Sequence, residues 1–176
     1  MKKEELDMKL RKLQGKDAPY MLEWMHDEEL VRHMHKNFSA MKIEDCRHFI
    51  EKSDKTEIDV HFAITDENDE YLGTVSLKDI HNGHAEFGIV VRRKAMGKGV
   101  AAEAMKKMLQ YGLDKLALDF VFWCVDKSNQ RALSFYDKNK YARIDYVALG
   151  VSVHYDEKYA RQFVWYKCVK QSGGEF

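Results

Sequence analysis

A chain of 176 residues with 45% hydrophobic content is long enough for one full core and short for two, so a single domain is expected over residues 1–170, with a flexible tail at 171–176. Its 29 Lys+Arg balance its 29 Asp+Glu, which excludes a general nucleic-acid binder, since such a protein needs a basic surplus to displace counterions from phosphates. Three widely spaced cysteines in apolar surroundings, no signal-peptide core in MKKEELDMKL and no run near the roughly 18–20 apolar residues of a membrane span lead to the expectation of a soluble, cytoplasmic protein with reduced thiols.

In chain order, DMKLRKL (7–13) predicts a first strand, and Asp17 with Pro19 marks a helix start, because an acceptor side chain and a fixed φ suit a first turn. Met21, Trp24, Met25, Leu30, Val31 and Met34 recur at helical spacing with a break near Asp27, and a shorter helix is expected at Lys42–Lys52. IDVHFAIT alternates as a half-buried strand, DENDE turns, and YLGTVSLKDI with HAEFGIVV forms a hairpin around Asn82-Gly83. Residues 98–115 read as an amphipathic helix, and DFVFWCV, continuously apolar, reads as a central strand parallel to its predecessor. Asn129–Lys138 is a further helix, and ARIDYVALG and RQFVWYKCV supply two closing strands. The order β-α-α-β-β-β-α-β-α-β-β is mixed α/β with a mostly antiparallel sheet and one parallel crossover.

The functional signal lies between the hairpin and the helix after it. A strand that hands over to a helix through Gly97-Lys98-Gly99 presents unpaired amides at the positive end of the helix dipole, an anion site by construction. A Walker loop is excluded, because neither the hydroxyl after Gly-Lys nor the upstream glycine is present. The looser pattern Gly97-x-Gly99-x-x-Ala102 satisfies a dinucleotide fingerprint, but Asp119 precedes its strand instead of ending one and the βαβ repetition is missing. The plain alternative is a solvated basic face, Arg92, Arg93, Lys94 and Lys98, beside an ordinary loop.

A second pattern follows the next strand: Asn129-x-x-Ala132-x-x-x-Tyr136-x-Lys138-Asn139. Together with Lys94-x-x-Gly97-x-Gly99 it resembles the GNAT superfamily of acyl-CoA-dependent N-acetyltransferases, across roughly residues 58–142. AEFGIVVRRKAMGKGVAAEAM and VDKSNQRALSFYDKNKY are most similar to the branch of ribosomal-protein alanine, spermidine and nucleotide-amino-sugar acetyltransferases. Two positions depart from the pattern: Lys94 replaces Gln or Arg, and Lys140 replaces a glycine, with Asn139 before it expected to take the left-handed conformation of the helix end.

The resemblance implies a GNAT fold: a central, mostly antiparallel sheet of about seven strands, one parallel pair splayed at the cofactor site, flanked by about four helices. It implies acetyl-CoA as co-substrate, no metal, and direct attack by a primary amine of a protein N-terminus, polyamine or amino sugar. Cofactor contacts are expected from Ile89, Val90, Val91, Arg92, Lys94, Met96, Gly97, Lys98, Gly99, Val100 and Ala101, and from Asn129, Ala132, Tyr136 and Lys138. A backbone N–H near Ile89 or Val90 would serve as oxyanion donor. Glu86 is the candidate base, with a surface hairpin glutamate as the alternative, and Tyr136 the candidate acid, with a core tyrosine as the alternative. Asn129 is equally at home as a helix cap.

The remaining features read as structural. His33 with His35, and His81 with His84, make poor metal sites, and Cys124 reads as packing. Glu23, Asp27, Glu28 and Glu29 form an acidic cluster that would either attract a cationic acceptor or merely face solvent. A non-catalytic acyl-CoA-binding module is the second reading and a dinucleotide enzyme the third. A small-molecule or peptide amine is the expected partner, with a possible homodimer and neither nucleic acid nor membrane.

Overall fold

Asn82 and Gly83 both take positive φ, 48° and 78°, the twist that lets a two-residue turn fold one strand onto the next. The turn joins β3 (Tyr71–His81) to β4 (His84–Val91), and it closes with His81 paired to His84, rings 4.5 Å apart. Around this hairpin a computed structural model describing residues 6–171 places a seven-stranded sheet in the order β1-β2-β3-β4-β5-β7-β6. The other strands are β1 (Lys9–Lys12), β2 (Val60–Thr65), β5 (Phe120–Asp126), β6 (Arg143–Ile144) and β7 (Phe163–Val169). Every neighbouring pair is antiparallel except β4 and β5, so the expected mixed fold with one parallel pair is the fold observed.

The helices are α1 (Ala18–Met25), α2 (Glu28–Val31), α3 (Ile43–Ser53), α4 (Val100–Gln110), α5 (Gln130–Lys138) and α6 (Glu157–Ala160). Strand side chains alternate between the faces. On one face Leu77, Ala85, Phe87, Val121 and Trp123 pack under Ala104, Met105 and Met108 of α4 and Leu133 and Tyr136 of α5. The opposite face carries two separate clusters: α1 and α3 over Ala63 and Tyr71, and Phe122 with Trp165 under Leu149, Ala160 and Phe163. The strip between them bears two cross-strand pairs of β3 and β4, Ser76 with Gly88 and Lys78 with Glu86.

Local expectations fail in four places. Asp17 and Pro19 do open α1 as expected, but the Asp17 carboxylate does not cap it; it accepts from Nη1 and Nη2 of Arg11, at 2.8 and 2.9 Å, because a buried charge needs a partner more than a helix end does. The helix expected to run to 115 changes at Tyr111–Lys115 into a wider π turn, where Gly112 brings the backbone against Leu77. ARIDYVALG yields only a two-residue strand, since the Asp145 carboxylate accepts the Val147 N–H and turns the chain so that Leu149 reaches the core. Asn139 stays right of the barrier at φ −83°, and Lys140 takes the left-handed position at φ 63°. The tail placed at 171–176 lies, apart from Gln171, outside the described residues.

Candidate active site

The parallel pairing of β4 and β5 is short: His84 with Phe120, Ala85 with Val121, Glu86 with Phe122. Beyond it β4 continues against β3 to Val91, while β5 continues against β7 to Asp126, so the two strands part and leave a wedge. The direction of the free amides follows from alternation along β4. Arg92 N–H donates to the Leu72 carbonyl at 2.7 Å, which turns Val90, two residues back, toward β3 as well. Ile89 and Val91 therefore turn their amides to the β5 side, into the wedge. Of the two expected oxyanion donors the geometry favours Ile89.

After β4 the chain makes one tight turn (Arg93–Ala95) and bends at Gly97 and Gly99, with φ 73° and 80°, before α4 starts at Val100. Neither glycine is crowded: a Cβ built on either meets nothing within 4 Å. Glycine is needed here for backbone handedness, and the space beside it is open. The first intrahelical bond of this end is Glu103 N–H to the Gly99 carbonyl at 3.1 Å, so the amides from Val100 to Ala102 have no carbonyl of their own helix. A cradle of amides at a positive helix end, open on one side, fits a diphosphate. Met96 and Lys98 belong to the same bend, Val100 is buried at its base, and Ala101 follows it half-buried. Arg131 of α5 reaches Met96 Sδ across the opening, so the two halves of the motif meet.

Two expected cofactor cations are engaged elsewhere. Arg92 is buried and donates to Glu23 at 2.7 Å, to Glu70 at 2.7 Å and to the Tyr71 carbonyl at 2.8 Å, with its guanidinium 4.4 Å from the centre of the Tyr20 ring. Lys94 donates to Glu70 at 2.6 Å. Arg93 likewise binds Asp27 at 2.7 Å and Glu29 at 3.2 Å. The basic run therefore clamps β4 to α1 and α2, with the Arg92 and Lys94 side chains engaged in internal ion pairs. The same bonds pair Glu23, Asp27 and Glu29 of the acidic cluster with arginines, while Glu28 has no ion-pair partner among the described residues. Lys98, in the bend, and Lys138, the last residue of α5, are both exposed.

The catalytic candidates lie on opposite faces of the sheet. Tyr136 is buried on the α4/α5 side, its ring 5.4 Å from Trp123 and 5.1 Å from Tyr166. Burial, reinforced by the neighbouring Tyr166, Cys124 and Tyr141, pushes its phenol well above the ordinary range, so it stays protonated at any working pH. Ala132 packs half-buried against the same core, and Asn129 Oδ1 accepts the Ala132 N–H at 3.1 Å, the plain helix cap. Trp123 Nε1, one residue past the parting of the strands, is buried without a hydrogen-bond partner among the described residues.

Glu86 faces the opposite side, beside Phe122, and is only 9% exposed, so it is not a surface glutamate of the hairpin. Its Oε1 accepts the hydroxyl of Tyr155 at 3.0 Å. Cys124 lies on the same face, its thiol pushed up to about 12 by burial and then by the Glu86 charge, which fits packing and not nucleophilic chemistry. Tyr155, Glu70 and Trp123 were not singled out from the sequence as site residues. Each is brought in by a contact distant along the chain, and none sits in a motif.

Comparison with known proteins gives one family. The acetyltransferase (GNAT) domain matches residues 7–141. The spermidine N(1)-acetyltransferase of Escherichia coli strain K12 is 29% identical over 138 residues, 74% of this chain and 70% of that protein. In fold, the chain is similar to the spermidine N-acetyltransferase of Vibrio cholerae solved with CoA and spermine, with TM-score 0.73 and 18% identity over 92% of this chain and 93% of that one. It is also similar to a dodecameric structure of the Vibrio cholerae enzyme, with TM-score 0.69 and 18% identity over 93% and 94% of the two chains.

Proposed function

The chain belongs to the GNAT acetyltransferase family and is an acyl-CoA-dependent N-acetyltransferase acting on an amine; from that premise we propose which of its residues do the work and that its acceptor is a polyamine of the spermidine class. When bound, acetyl-CoA supplies an acetyl group activated as a thioester. The amides from Gly97 to Ala101 would hold its diphosphate, with Lys98 and Lys138 as nearby cations. Ile89 N–H is the oxyanion donor in the wedge.

The amine enters from the face that carries Glu86. An amine with a pKa near ~10.4 arrives mostly protonated and has to lose a proton before it attacks. Glu86 takes that proton, directly or through one water. On the opposite face Tyr136, kept protonated by burial, returns a proton to the departing sulfur. Acid and base on either side of one wedge keep the two transfers apart, and this placement is the observation that supports the catalytic reading. The polyamine rests on the relatives named above, and so does self-association in solution.

The test is release of free thiol from acetyl-CoA by the purified protein in the presence of spermidine, spermine, peptide N-termini or amino sugars. Turnover greatest with spermidine or spermine is expected. Preference for an amino sugar or a peptide would overturn the acceptor, and tight acetyl-CoA binding without thiol release for any amine would return the binding-module reading. Light scattering on the same sample checks self-association.

A further inference from the structure

The loop between β6 and β7 contributes a residue that none of the motifs contains. Tyr155 and Glu86 are 69 positions apart, yet the phenol donates to the carboxylate at 3.0 Å. Tyr155 is held from several directions. His154 before it pairs through Nε2 with Asp79 at 2.8 Å, and Asp156 after it caps α6. Its ring meets His35 edge-on at 5.5 Å and also lies against Phe163 and Trp165. The direction of its hydroxyl is thus fixed by contacts that do not involve Glu86.

Burial, and after it the Glu86 charge, push the Tyr155 phenol far above its ordinary value, so the proton of this bond stays on the tyrosine. The other charged or titratable groups around the carboxylate are Lys78, its partner on β3, Cys124 on β5, and His84 two residues back on its own strand. Among the described residues, Tyr155 is the one that hydrogen-bonds it.

We propose that Tyr155 is a positioning residue for acetyl transfer: by occupying Oε1 it fixes the Glu86 carboxylate and leaves Oε2 to receive the acceptor's proton. This rests on the reading of Glu86 as base. In the step Oε2 takes one proton from the ammonium, the neutral amine nitrogen adds to the thioester carbonyl, and the C–S bond then breaks with its electron pair on sulfur. The thiolate takes the Tyr136 proton, the second proton of the added nitrogen restores Tyr136, and Tyr155 keeps its own proton throughout. A hydroxyl donated to a carboxylate favours the charged form of that carboxylate over the neutral one.

The experiment compares kcat/KM against pH, with spermidine as acceptor, for the wild type, Tyr155→Phe, Glu86→Gln and Tyr159→Phe. Tyr159 contacts His35 in the same loop cluster and controls for loop disturbance. Expected for Tyr155→Phe are a kcat lower by about tenfold, the size of one charge-assisted hydrogen bond, an unchanged KM for acetyl-CoA, and an acidic limb moved to higher pH. Glu86→Gln should abolish that limb, and Tyr159→Phe should leave it in place. If Glu86→Gln abolishes the limb but Tyr155→Phe leaves it unmoved, the positioning role is wrong and the base stands. If Tyr159→Phe moves it equally, the effect belongs to the loop and the role is wrong. If Glu86→Gln keeps the limb, the base assignment fails first and takes this inference with it.

Discussion

Arg92, just past the end of β4, donates to Glu23 of α1 through two bonds, 2.7 and 3.3 Å long. Its guanidinium is 7% exposed and also serves Glu70 and the Tyr71 carbonyl, so one side chain ties α1 and β3 to the strand that borders the wedge. Arg92→Met leaves the Tyr71 carbonyl and the Glu23 carboxylate without their donor, and Glu70 with Lys94 alone, and should cost about 2–3 kcal/mol. Arg92→Lys should recover little, because an ammonium lacks the planar fork that reaches all three. Urea unfolding of the variants measures both.

Acid should weaken the same region. Lys94, and then Arg92, hold the Glu70 carboxyl below the carboxylate range; Lys16 and Arg11 hold Asp69 down to about 2 from an ordinary 3.8. A carboxyl whose pKa is depressed by folding adds stability that is complete above its unfolded value and lost as pH falls through the folded one. Unfolding midpoints should therefore be level from neutrality down to about pH 5, then drop between there and pH 2. Asp69→Asn should flatten the lowest part of that curve; a decline that begins near pH 6 would point to other groups.

The three glycines around the wedge should fail for different reasons. Gly97→Ala and Gly99→Ala meet no neighbour but force a side chain into left-handed backbone, so each should cost about 1 kcal/mol and, more tellingly, weaken acetyl-CoA binding by tenfold or more in calorimetry. Gly73→Ala would set its Cβ 2.2 Å from the Val90 carbonyl oxygen. It should push β4 off β3, lower the melting temperature and depress kcat through the displaced Ile89 amide.

Tyr136→Phe keeps the ring packed on Trp123 and Tyr166 and removes only the proton donor. The expected result is a kcat reduced by about a hundredfold with unchanged affinity for acetyl-CoA and an unchanged melting temperature. Full activity would leave Tyr136 as the core tyrosine it resembles in packing.

Lys140 closes α5: its N–H bonds to the Asp137 carbonyl and the Tyr141 N–H to the Tyr136 carbonyl, a glycine-type helix end built on a lysine at φ 63°. Lys140→Gly should relieve that strain and raise stability by about 0.5–1 kcal/mol without changing kcat, as a thermal melt will record.

The Asn82-Gly83 turn, the period-two strands and the glycine bend were legible because each is decided by neighbours in sequence. The helix end at Asn139-Lys140 was misread for a reason of the same scale: propensity favoured Asn, while the two Schellman bonds fix which residue turns over. The ion pairs of the cations after β4 were not legible, because a basic run beside a glycine bend looks the same whether it faces a ligand or four carboxylates folded against it. Which it faces depends on α1 and α2, about 65 residues earlier. Tyr155 was beyond reach for the same reason.

The seam between β4 and β5 amounts to three residue pairs, so the sheet is nearly two: β1 to β4 on one side, β5, β7 and β6 on the other. A ligand lying along the parted strands would bridge the halves by supplying partners where the ladder stops. Amide exchange in β4 and β5 should then report occupancy as a mechanical event, with two cooperative blocks that open separately when empty and together when filled.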